Sequence, residues 1–197
     1  MSFDIPIFPL NTVLFPGGVL PLRVFEVRYV DMTRDCMKND KPFGVALIRE
    51  GSEVGEAAVP ETVGTTAVIS GWDMQQLGVL NITTVGQRRF RIVSSNVAAN
   101  GLITASVEKI PDEASREVPL ENRACVALVR AIAVQVGEKR LPPPHHFSDA
   151  AWVGYRLSEL LPIPLAAKQK LLELEDSVSR LQILTKYIEQ QGLAIGK

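Results

Sequence analysis

Apolar positions in the first hundred or so residues alternate with a period near two, and from about residue 122 onward they recur every third or fourth position. The first period marks half-buried strands and the second marks amphipathic helices. The chain opens on IPIFPLNTVLFPGGVLPLRVFEVRY, Ile5 to Tyr29, which sets Pro6, Pro9, Pro16 and Pro21 among aliphatic residues. Proline lacks the N–H and fixes φ, so these residues belong at edges and ends of short strands. Phe15-Pro16-Gly17-Gly18 reads as a tight turn, and the ribbon runs directly into a helix.

That helix is expected over Phe25–Asn39, with Phe25, Tyr29, Met32 and Cys36 on its apolar face and Arg28, Asp31, Arg34, Asp35 and Lys38 opposite. Two residues break the pattern. Glu26 falls on the apolar flank, where a buried charge needs a partner such as Arg23, and Val27 projects into the polar face. Strands follow at FGVALI (43–48), apolar on both faces, and at GTTAVIS (64–70). Leu77 to Val85 and Arg88 to Ser95 flank Gly86-Gln87, read as a type II′ hairpin turn. Asn100-Gly101 then leads into Leu102 to Ile110, giving about six strands.

PDEASREVPLE (111–121) marks a boundary. Beyond it, Cys125, Val129, Ile132 and Val136 form one helical stripe, and LPPPHHFS is a stiff connector ending in a serine N-cap. Val153, Leu157, Leu160 and Leu161 form the next stripe. Helices over Leu165–Leu174 and Val178–Gln190 complete the chain. The pattern predicts an α+β fold: a small twisted β pseudo-barrel with one early helix over residues 1–112, then a helical bundle over 113–197 packed against it.

Composition narrows the chemistry. Twenty-one basic and 22 acidic side chains give a net charge of −1, without the basic field that nucleic-acid binding uses. Arg88, Arg89 and Arg91 alternate with Phe90 and Ile92, as on one solvated strand face. No apolar run approaches the roughly 20 residues of a membrane helix, and no signal peptide precedes the ribbon, so the expected compartment is the cytoplasm. Cys36 and Cys125 are expected as buried free thiols, and the only histidines, His145 and His146, are adjacent in the proline connector. No metal or cofactor is expected. The tail from Gly192 to Lys197 is one residue short of a P-loop and lacks its Ser/Thr. Ser106 and Lys109 point to opposite faces of a strand, so they make no dyad.

FPLNTVLFPGGVLPLRVFEVRY resembles the opening of the Lon-protease amino-terminal domain family. The likeness continues in order through FGVALI, VGTTA, GQRRFRI and ELLPIPLAAKQKLLELEDSVSRLQIL, with its proline break, lysine-containing helix and arginine-leucine pair. It thus spans Ile5 to about Leu184. It departs at WDMQQLGVL, where the family commonly has an acidic-glycine turn and Trp72 takes over in this chain. The resemblance implies a PUA-like pseudo-barrel and recognition of exposed or unfolded polypeptide. A full Lon protease continues into ATPase and serine-lysine protease domains, whereas this chain ends at Lys197, like the stand-alone bacterial form.

The expected role is therefore a non-catalytic module whose partner is unfolded polypeptide or another protein, with no nucleic acid or membrane. The alternatives are a hydrolase with a site at the junction of the two parts, or an adaptor of a separate ATPase or protease. Candidate contact residues are Phe15 and Pro16 at the turn, Val27, Arg28 and Asp31 on the helix, and Trp72. Each has a plainer reading: Phe15 and Trp72 as core anchors, and Arg28 and Asp31 as a solvated helix face.

Overall fold

The computed structural model describes residues 2–193, the side chain of Gln75 excepted. The chain divides into two compact units, residues 1–111 and 112–197. The first contains β1 (Ser2–Leu10), β2 (Val19–Val24), α1 (Val27–Asn39), β3 (Phe43–Glu50), β4 (Val59–Pro60), β5 (Val63–Gln76), β6 (Val79–Val97) and β7 (Ile103–Lys109). β1 pairs antiparallel with β7 and parallel with β3, so the order β1-β7-β6-β5-β3 closes on itself. β2 lies against the first part of β6, and β4 against β3.

Closure buries both faces of β1 over residues 7–10 and of β3 over residues 43–47, which is why those stretches lack a polar side. Ile5, Ile7, Ala46, Phe90, Ile103, Ala105 and Val107 form one apolar cluster. Gly44 and Gly64 leave room there: a Cβ on either would press on Phe90. The opposite face carries Phe8, Leu10, Phe43, Val45, Leu80 and Ile82, covered by Tyr29, Met32 and Cys36 of α1. Phe8 and Tyr29 stack with ring centroids 4.1 Å apart.

Several local expectations are corrected. The β5–β6 hairpin turns at Leu77-Gly78, where Gly78 has φ +82°, and Gly86 lies inside the 19-residue β6. Gly86 serves close approach instead: its carbonyl accepts from Gly17 N–H at 2.8 Å and its N–H donates to Gly18 at 2.9 Å. A Cβ there would overlap the Phe15 carbonyl. α1 begins at Val27 after an extended Glu26 (φ −72°, ψ 132°), so Phe25 precedes the helix and is exposed rather than on its apolar face. Glu26 is held by Arg28, not Arg23, which instead donates to Gln76. Arg89 is buried, so the arginine run is not a uniformly solvated face. Among the described residues the sheet has seven strands, against the expected six or so.

The second unit contains a 3-10 turn (Leu120–Asn122) and helices α2 (Arg123–Val136), α3 (Ala150–Leu160), α4 (Leu165–Glu173) and α5 (Ser177–Gln190). Its core includes Cys125, Val129, Val153, Leu157, Leu172, Leu181 and Leu184. The cap of α3 is Asp149, one residue beyond the expected serine; its carboxylate accepts from Trp152 N–H at 2.7 Å. Within this core Arg180 is fully buried. It donates to the carbonyls of Leu171 and Leu174 at 2.9 and 2.7 Å and to both Glu113 oxygens at 2.9 and 2.6 Å. The Tyr155 ring lies 4.3 Å from the guanidinium and its hydroxyl donates to Glu113. Arginine thus ties α3, α4 and α5 to the incoming chain, giving a structural reason for the arginine-leucine pair.

Both cysteines are buried and unbridged. Burial, reinforced by Asp35, pushes the Cys36 thiol up to about 11, and burial also raises Cys125. Since the thiolate is the reactive form, both thiols are expected to resist a disulfide reagent in the native protein at neutral pH and react on unfolding. Rapid native labelling of either would contradict this burial.

Candidate functional site

A groove of about 590 Å³ lies beside the first turn of α1. Three segments distant in sequence build it: Phe25 to Arg28, Gly55 to Ala57 in the β3–β4 connection, and Val97 to Gly101 at the β6–β7 turn. Gly101 makes that turn, with φ +82°, and a Cβ there would press on Arg28. Arg28 forms a buried side of the groove. It donates to the Gly101 carbonyl at 2.9 Å and to Glu26 at 3.0 Å, and its guanidinium lies 4.7 Å from the Tyr29 ring centroid. Its Nε–H, also buried, has no hydrogen-bond acceptor among the described residues. A buried donor left unsatisfied costs about 1–3 kcal/mol.

Apolar side chains stand exposed around this polar floor. Phe25 is 52% exposed, Val27 74% and Val97 54%, while Val54, at 55%, immediately precedes the Gly55 segment. Scattered exposed apolar side chains are ordinary; here three of them stand around one groove.

The sequence candidates separate in space. Val27 and Arg28 line this groove, and Asp31 is on the exposed side of α1, 3.9 Å from Arg34. Arg28 is buried rather than on a solvated helix face. Trp72 is 62% exposed on the β5–β6 arm, where it borders a smaller hollow with Met37 and Lys41. Phe15 is fully buried and Pro16 half-buried, so the turn follows the core-anchor reading and Phe15 offers no accessible contact. Its conformation seats Phe15 inside while Gly17 and Gly18 bind β6. Sequence reading missed Phe25, assigned to the helix core, and Val97 and Gly101, whose proximity to Arg28 depends on long-range pairing. The Asn100-Gly101 turn signal was the available clue.

Among the described residues no group of three or more His, Cys, Asp or Glu is arranged to hold a metal ion, and no helix is long and apolar enough to cross a membrane. The end of the glycine-lysine tail, residues 194–197, lies outside the described residues.

The family model of the ATP-dependent protease La (LON) substrate-binding domain matches residues 4–190. Lon protease 2 of Myxococcus xanthus is 28% identical over 204 residues, covering 95% of this chain and 24% of that protein. The chain therefore spans about a quarter of this relative's length. The crystal structure of a Lon N-terminal domain protein from Xanthomonas campestris aligns with a TM-score of 0.79 at 34% identity, covering 94% of this chain and 98% of that one. The N-terminal domain of the Mycobacterium avium complex Lon protease, 18% identical with a TM-score of 0.66 over 95% of this chain and 98% of that one, shares the fold. With the match running through both units, the chain belongs to the LON substrate-binding domain family.

Proposed function

We propose that the chain is a non-catalytic module that recognises exposed or unfolded polypeptide in the cytoplasm, using the groove at the start of α1. The carrying observation is the groove itself, with Phe25, Val27 and Val97 exposed around it and the buried Arg28 holding its segments together. An extended polypeptide supplies the complement: alternate apolar side chains to cover the rim. Folded proteins keep such side chains inside, so an apolar rim discriminates unfolded from native chains. Family membership supports the same role.

Val27 is exposed, so Val27→Asp leaves the fold intact while charging the rim. Binding of a fluorophore-labelled, chemically unfolded protein, followed by anisotropy, is expected to weaken roughly tenfold, about 1.4 kcal/mol. Trp72→Ala, on the other arm, is expected to change it less than about twofold. The opposite ranking would remove this groove from the assignment, and absence of binding by the wild type would remove polypeptide recognition itself.

A further inference from the structure

We propose that the helical unit carries a second docking surface, on the outer side of α2, that takes an acidic, apolar segment of a partner protein. It rests on observations separate from the α1 groove. Leu120, on the 3-10 turn before α2, is 73% exposed and Val134 near its end is 86% exposed. Between them Arg123, Ala127, Arg130 and Val134 follow helical spacing and share one stripe. Beside the stripe runs a groove of about 510 Å³, with Val118, Val126 and Phe147 among its apolar lining. Its far wall is stitched by Val118 N–H donating to Ser148 at 3.0 Å and by the Glu117–Asp149 bridge.

The two arginines are held in place without being neutralised. Arg123 donates through Nε to the Leu120 carbonyl at 3.1 Å, and the Arg130 guanidinium lies 3.9 Å from the centroid of the Phe147 ring. Neither forms an ion pair among the described residues. Glu117 is the acidic group lining the groove, so the lining carries a net positive charge. Positioned guanidinium forks offer bidentate recognition of carboxylates, and prior ordering reduces the entropy that binding costs.

Charge selects the occupant. A second copy meeting this face antiparallel, through a two-fold axis at the middle of the stripe, would set Arg123 against Arg130 of its mate, bringing like charges together. A segment carrying carboxylates instead matches them. Seven residues separate the arginines, about 10.5 Å along a helix, so a helical partner would present two acids two turns apart with leucine-sized side chains between them.

The test uses a fluorescein-labelled helical peptide with two glutamates at that spacing and leucines between, and a twin with lysines replacing the glutamates. The wild-type protein is expected to bind the glutamate peptide, more weakly as salt is raised, and to bind the lysine twin at least roughly tenfold less. The double variant Arg123→Glu/Arg130→Glu is expected to reverse that preference. Both side chains are exposed, and an unchanged circular dichroism melt verifies the fold. Equal binding of the two peptides, no binding of the glutamate peptide, or a wild-type dimer in sedimentation that Leu120→Asp dissociates would each overturn the proposal. Val27→Asp is expected to leave this binding unchanged, which separates its outcome from that of the α1 groove.

Discussion

Arg180→Ala is expected to destabilise the helical unit by about 3–5 kcal/mol, the range for breaking a buried pair by removing one partner. The variant takes both arginine donors from the buried Glu113 carboxylate, which keeps its Tyr155 hydrogen bond, and removes the arginine donor to the Leu171 and Leu174 carbonyls. The Tyr155 ring loses the cation stacked on it. Trp152 lies in α3 beside Phe147 and His145 and reports locally. Its fluorescence in a urea titration of Trp72→Phe protein isolates this unit from the β unit. Glu113→Gln retains hydrogen-bonding capacity and is expected to cost less. A change below about 1 kcal/mol for Arg180→Ala would mean that the network carries little net stability.

Gly86→Val is expected to cost the β unit about 3 kcal/mol, the upper part of the range for forcing volume into a packed site. Its Cβ would meet the Phe15 carbonyl and the Leu14 side chain. The obstacle is largely backbone, so rotamer changes cannot relieve it. Gly71 supplies the control: it also lies in a strand, has no positive φ, and a Cβ there meets nothing within 4 Å. Gly71→Ala is expected to be neutral or stabilising by a few tenths of a kcal/mol. If both substitutions proved equally harmless, the turn would not depend on this close approach.

The contrast between Gly86 and Gly78 also shows what the sequence can disclose. A glycine after a polar, alternating run reads as a turn, yet the same residue type serves where two backbones touch. Periodicity cannot separate those uses; only the partner segment can. The strand-rich part, α1 and the change to helical period at the boundary were legible because local pattern carries them, whereas the single β6 reads as two strands split at Gly86. Arg28 was not, because i+3 and i+4 spacing assigns it to solvent while the β6–β7 turn, more than seventy residues later, covers it. Val27 was legible for the opposite reason: its exposure follows from helix phase alone. The groove as a whole was hidden, since its three segments meet only after the strand ring closes.

That ring also sets a schedule. β1 needs β3 on one edge and β7 on the other, and the residue opposite Ile7 on β7 is Ile103. During synthesis at about 5–20 residues per second, Ile5 and Ile7 therefore wait roughly 5–20 seconds after emerging before their second neighbour exists. Over that interval the apolar ribbon has an unpaired edge, the template for strand-to-strand aggregation. Its prolines lack the N–H that a ladder needs, so they make that edge a poorer template for other chains while it waits.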